Sequence, residues 1–131
     1  MTRPGWDDYF LGIAQAVAAR ADCTRARVGA VIVKNHRIVA TGYNGSPAGE
    51  PGCLTDGACP RGRHTLPEMS AGGDFDNGPG FCIAVHAEAN AIIYADRDRT
   101  EHATIYVTQA PCAGCAKLIK GAGIGRVVVI D

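Results

Sequence analysis

Two short segments hold most of the side chains that could do chemistry. His86-Ala87-Glu88 sets an imidazole two residues from a carboxylate, and Pro111-Cys112-Ala113-Gly114-Cys115 sets two thiols three apart. Imidazole nitrogen and thiolate sulfur suit zinc, and a zinc that activates water takes three protein ligands and keeps a fourth position open. His86, Cys112 and Cys115 supply three. Glu88 is then left over as a carboxylate that can lean over the metal and move protons. Taken singly, each feature has a plainer explanation. A histidine that opens a helix is usually a cap or a surface residue, and C-x-x-C also serves redox proteins. A redox pair would have no use for His86 and Glu88, so the combination points to a catalytic zinc with water in its fourth position, the pKa of that water lowered to about 7.

The elements that must bring these segments together can be read from periodicity. Phe10, Ile13, Ala14, Val17 and Ala21 recur at helical spacing, with Asp7 and Asp8 placed for the first turn. Residues 28–33 and 38–42 are β-rich runs joined at Lys34-Asn35-His36-Arg37, an antiparallel hairpin with His36 solvated in its turn. The first run is almost continuously apolar, which suggests a strand covered on both faces. A second helix is expected from about His86 to Ala95 with Ala89, Ile92 and Ile93 facing inward. A third strand follows over 103–108. A third helix opens at Pro111 and Cys112, carries Ala116, Leu118 and Ile119, and stops near Gly121 to Gly123; a fourth strand spans 126–130. This alternation predicts a three-layer α/β/α domain over 1–131 with a mixed sheet, an antiparallel first hairpin and then parallel strands. Both ligand segments then fall where a strand or loop turns into a helix, on one edge of the sheet. A helix N-terminus favours thiolate over thiol there.

Between these elements, Gly42-Tyr43-Asn44-Gly45-Ser46-Pro47-Ala48-Gly49 is too rich in glycine and proline to continue a strand. Asn44 is either a left-handed turn residue or a hydrogen-bonding group at the strand end. Residues 50–84 show no sustained period but contain Cys53, Cys59, His64 and Cys82. A loop this long, about 43–85 in all, is uncommon in a compact domain unless something ties it, and thiols with an imidazole offer a metal as the tie.

Composition bounds the rest. The 131 residues suffice for one core, 47% are apolar, and 13 basic residues cancel 13 acidic ones. A neutral balance argues against a polynucleotide partner, since the charge for a phosphate backbone is not there. It leaves room for a small anionic substrate held by one local arginine or lysine. The first residues lack the basic-then-apolar pattern of a signal peptide, and no apolar run approaches a membrane span. Six cysteines without a leader suggest a reducing compartment, the cytoplasm, where thiols meet metals more often than one another.

On His86-Ala87-Glu88 and Pro111-Cys112-Ala113-Gly114-Cys115 the chain resembles the cytidine deaminase superfamily. More narrowly, it resembles the deoxycytidylate (dCMP) deaminases on Cys23-Thr24-Arg25, the run Val28-Gly29-Ala30-Val31-Ile32-Val33, the segment from Gly42 to Gly49, Cys53 and Ala122-Gly123-Ile124. The likeness covers most of the chain outside 54–81. It implies hydrolytic conversion of dCMP to dUMP and ammonia. His86, Cys112 and Cys115 match the zinc ligands and Glu88 the proton shuttle. The backbone N–H of Ala87 would meet the pyrimidine carbonyl and Asn44 the sugar hydroxyl. Arg25 and Arg27 are the candidates for the 5′-phosphate, since a guanidinium fits phosphate oxygens in two places. The family also implies a second, structural zinc on Cys23, Cys53, His64 and Cys82, with Cys59 as the alternative to His64. Members are commonly hexamers, and dCTP and dTTP act on some as effectors. The family usually continues past the fourth strand with a tyrosine-containing segment and another helix; here the sequence runs to Asp131. Two other readings stand beside this one: a deaminase of a different amino-heterocycle (a nucleoside, a base, a modified dCMP or a tRNA adenosine), and an inactive zinc- or nucleotide-binding module. Glu88 speaks against the last, because a structural metal needs no spare carboxylate.

Overall fold

Gly29–Lys34 forms β1, the strand on which the rest of the sheet is laid. In the computed structural model, which describes residues 2–23, 26–57 and 83–130, the order is β2-β1-β3-β4. β2 (Arg37–Tyr43) and β3 (Thr104–Val107) flank β1 antiparallel to it, and β4 (Arg126–Val129) lies parallel to β3. The expected hairpin, mixed sheet and doubly covered first strand are all present. Alternation of side chains along β1 splits its apolar run between two cores. Val31 and Val33 join Phe10, Ala14 and Tyr106 on one face, while Ala30 and Ile32 join Ala87, Ala91, Ile105 and Ile119 on the other.

The first face is covered by α1 (Trp6–Ala18), the second by α3 (Ala87–Ile93) and α5 (Ala113–Gly121). Two glycines let helices come close. A Cβ on Gly29 would overlap the backbone of α1 at Ala14 and Ala18, and one on Gly42 would overlap α3 at Ala87 and Ala91. The hairpin turn holds Asn35 and His36 at φ 53° and 59°, the left-handed pair that matches strand twist in a two-residue turn. His36 is exposed as expected, yet its ring stacks on Trp6 with centroids 4.1 Å apart.

Four expectations need correction. α1 ends at Ala18 rather than Ala21. In α3 the buried residues are Ala87, Glu88 and Ala91; Ile92 packs against the core as expected, Ala89 is half-buried and Ile93 is 64% exposed. In α5 they are Cys115 and Ile119, with Ala116 and Leu118 exposed. In α3 the close approach to Gly42 puts small side chains, Ala87 and Ala91, at the contact. Last, two short helices, α2 (Cys53–Asp56) and α4 (Arg97–Thr100), are too brief to leave a periodic trace. Among the described residues, no helix is long and apolar enough to cross a membrane.

Candidate active site and metal centre

The site lies at the sheet edge where β1 begins and β2 and β3 end. Beyond β2, Gly45 and Val85 pair through two backbone hydrogen bonds (3.2 and 2.7 Å), so the segment entering α3 is docked directly on the end of the hairpin. Beyond β3, the Thr108 N–H donates to the Gly29 carbonyl (3.1 Å) and the Thr108 hydroxyl accepts from the Gly29 N–H (3.0 Å), fixing the path to Cys112. Each path ends by placing a donor residue at a helix N-cap: His86 for α3 and Cys112 for α5. Cys115 follows in the first turn of α5, and its N–H donates to the Cys112 sulfur at 3.5 Å.

His86 Nδ1 lies 3.2 Å from Cys115 Sγ and 3.4 Å from Cys112 Sγ, and the three donor atoms all fall within 4.8 Å of one another. Bonds of about 2.0–2.1 Å to nitrogen and 2.3 Å to sulfur at tetrahedral angles require donor separations of roughly 3.6 Å. The residues therefore fit a zinc. Burial is graded across the group: Cys115 is buried, His86 half-buried and Cys112 exposed, so one side of the site opens outward. Glu88, 4% exposed, stands in the first turn of α3 with its carboxylate against the Cys115 thiol. Burial, then Glu88, then Cys112 push that thiol well above its usual range. A thiol so surrounded stays neutral unless a cation is there to hold its anion.

The other residues singled out in the sequence are placed unevenly. Ala87 is buried as the first residue of α3, where an N–H has no partner within the helix. Asn44 is buried and works on the backbone: its Oδ1 accepts from Val28 N–H (2.8 Å), and its Nδ2 donates to the Ala26 carbonyl (2.9 Å). Its own N–H and carbonyl also bond, to Val28 O and Asp22 N–H. One amide hydrogen and one lone pair are left for a ligand. Arg27 is exposed, and Arg25 lies outside the described residues. Cys23 and Cys53 are buried, and Asp22 joins their segments by accepting from Leu54 N–H (2.7 Å), Thr55 N–H (2.9 Å) and the Thr55 hydroxyl (3.0 Å). Those bonds hold the Asp22 carboxyl below its usual range, the Thr55 N–H most of all. Cys59, His64 and Cys82 lie outside the described residues. Sequence reasoning missed both Asp22 and Asn90, whose side chain binds the end of β2. A polar residue of modest helix propensity amid alanines was the available sign for Asn90.

The family model for the cytidine and deoxycytidylate deaminase zinc-binding region matches residues 4–131. The chain belongs to this family. Among curated relatives, the deoxycytidylate deaminase of Mycobacterium phage D29 is 54% identical over 129 residues, covering 98% of this chain and 96% of that protein. That of Schizosaccharomyces pombe is 40% identical, covering 96% of this chain but 37% of the yeast protein. The dCMP deaminase of cyanophage S-TIM5, solved in complex with dCMP and dUMP, superposes with a TM-score of 0.71 at 25% identity, covering 98% of this chain and 83% of that one. The S-TIM5 enzyme shares the α/β fold described above, and the family is one that binds zinc.

Proposed function

We propose that this chain is a zinc-dependent hydrolase that converts dCMP to dUMP and ammonia. The reading is carried by the convergence of His86, Cys112 and Cys115 beside the buried Glu88, in a chain 54% identical to a deoxycytidylate deaminase over nearly its whole length. His86, Cys112 and Cys115 would hold the ion, which when bound supplies a Lewis acid that brings the pKa of water to about 7. Glu88 accepts one proton from the attacking water and passes it to the ring nitrogen, then takes the second from the hydroxyl now on the ring carbon and passes it to the departing amine. The carbon–nitrogen bond to the amine breaks as the carbonyl forms, and ammonia leaves. Such a shuttle contributes on the order of 10²–10⁴-fold. The Ala87 N–H holds the pyrimidine carbonyl, the spare capacity of Asn44 takes the sugar hydroxyl, and Arg25 and Arg27 take the phosphate.

Turnover with dCMP, CMP, deoxycytidine, adenosine and guanine tests the assignment. dCMP should lead the panel. Deoxycytidine turned over as well as dCMP would remove the phosphate role of Arg25 and Arg27, and no turnover of any cytosine compound would overturn the reading.

The same reading extends to a second, closed zinc on Cys23 and Cys53, completed by Cys82 and by His64 or Cys59. Asp22 supports it by tying the Cys23 connector to α2. Metal analysis should give two zinc ions per chain; one would count against the second site. Ile93, Tyr94 and Leu118, all exposed on α3 and α5 or just beyond, suit burial by further copies in a homo-oligomer such as a hexamer, which light scattering would size. Response to dCTP and dTTP, and residence in the cytoplasm where free nucleotides and reduced thiols coexist, complete the proposal. A dCMP saturation curve with and without each triphosphate tests the former.

A further inference from the structure

Asn90 is the polar residue next to the metal donors that the reaction above leaves without a task. It stands four residues after His86 on α3, half-buried, in the run AEANAII. Its backbone N–H donates to the His86 carbonyl at 2.9 Å. Its side-chain Nδ2 donates to the Tyr43 carbonyl at 2.8 Å and makes a longer approach, 3.5 Å, to the Val85 carbonyl. The carbonyls on both sides of the His86 α-carbon therefore face one residue. An amide nitrogen carries two hydrogens and can address two acceptors at once, which a hydroxyl cannot.

The ring of contacts closes through the hairpin. Tyr43 is the last residue of β2, and Gly45, two residues on, pairs in both directions with Val85. Val85, His86 and the first turn of α3 are thus held from below by the Gly45 pairing and from the side by Asn90. Gly42 allows the close approach that brings Asn90 within reach, since a Cβ there would overlap α3 at Ala87 and Ala91. His86 has no side-chain cap bond to orient its helix end. This frame holds the backbone from which its imidazole springs.

We infer that Asn90 is a positioning residue for the metal centre: by bonding the end of β2 and flanking the His86 backbone, it sets where Nδ1 points relative to Cys112 and Cys115. The inference rests on the reading of those three residues as zinc ligands. Groups that orient ligands from behind typically contribute 10–100-fold in metal affinity or activity.

Wild type, Asn90→Asp and Asn90→Ala decide it, each assayed for zinc per chain, the rate of zinc loss to a chelator, the visible spectrum of the cobalt(II)-loaded form, and kcat and KM for dCMP. Aspartate keeps the shape but turns a carboxylate toward carbonyl oxygens. Both variants should lose zinc roughly 10–100 times faster, shift the cobalt bands and lose kcat with KM near wild type. A lowered melting temperature with zinc release and cobalt bands unchanged would make Asn90 a plain stabiliser and overturn the inference. Should either variant not fold, Asn90→Ser carries the same measurements, its single hydroxyl being too short to reach β2. Wild-type protein without bound zinc would instead sink the metal reading itself, a separate failure visible before any variant is made.

Discussion

On one face of the sheet, α1 lays Phe10 across Val31, Val33 and Tyr106, with Trp6 stacked on Phe10 at 5.8 Å and Phe10 against Tyr106 at 5.3 Å. On the other, α3 meets the hairpin through Ala87, Ala91 and Gly42, backbone nearly against backbone. The first face is made of large side chains and carries no residue of the proposed site. The second mixes isoleucines with alanines, has small residues where α3 meets the hairpin, and carries the donors. Large rings bury much apolar area and hold the helix at side-chain distance from the sheet. A glycine–alanine contact buries little and lets the backbones nearly touch. The difference teaches where precision is set: both faces bury apolar cores, but the glycine–alanine contact on the second sets where His86 and Glu88 stand.

That difference can be broken most severely at Glu88. Glu88→Gln preserves shape and removes the base, so kcat should fall on the order of 10²–10⁴-fold while the protein keeps its zinc and its melting temperature. Ammonia release, metal analysis and calorimetry together check it. Retained turnover would show that the proton moves by another route.

Phe10→Ala should do the reverse. Phe10 is 2% exposed and central to its cluster, and deleting such a ring costs about 3–5 kcal/mol through lost burial and the cavity left behind. Denaturant unfolding measures the loss. Folded protein should still turn over dCMP with a near-normal KM, since α1 supplies no site residue. Gly42→Ala is the intermediate case, because it acts on the precise face. The added methyl must push α3 away, which costs about 1–3 kcal/mol, and the same shift should speed zinc loss. A G42A protein that is destabilised yet holds zinc as tightly as wild type would dissolve the distinction between the faces.

How much of this could be read in advance follows the same divide. His86, Glu88, Cys112 and Cys115 were legible because metal chemistry demands those residue types at those spacings, whatever surrounds them. The strands were legible because β1 is apolar throughout and its neighbours are bounded by turn residues. The buried faces of α3 and α5 were read only in part: Ile92 and Ile119 pack inward, but Ile93 and Leu118 point out and Ala87 and Ala91 point in, because alanine marks no face by hydrophobicity. Asn90 and Asp22 were invisible for another reason. Apart from the Thr55 hydroxyl, their partners are backbone groups of Tyr43, Val85, Leu54 and Thr55, and a carbonyl or N–H leaves no signature in a sequence. His36 was placed correctly in its turn, but nothing local foretold the Trp6 ring against it.

The smallest effect concerns how α1 is latched at its far end. Asp7 accepts from both Arg126 nitrogens and, at 2.8 Å, from the Tyr106 hydroxyl, closing α1 onto β3 and β4. The Arg126 guanidinium first, and the Tyr106 hydroxyl next, hold the Asp7 carboxyl below its ordinary 3.8. Its contribution is therefore complete above that value and is lost as acid titrates the folded form. Tyr106 behaves oppositely: burial first, then Asp7, push the phenol up to about 12 from 10.0. The folded state keeps that proton longer than the unfolded chain does, so stability is full below pH 10.0 and is lost as pH rises through about 12. Since Asp7 is 42% and Arg126 56% exposed, water and salt screen the pair, and Asp7→Asn should lower the melting temperature only slightly. The gap to wild type should close below about pH 4. Tyr106→Phe should flatten the alkaline arm instead. If the melting temperature of Asp7→Asn tracked wild type at every pH, the latch would be a surface contact without consequence, and the aromatic packing alone would hold α1.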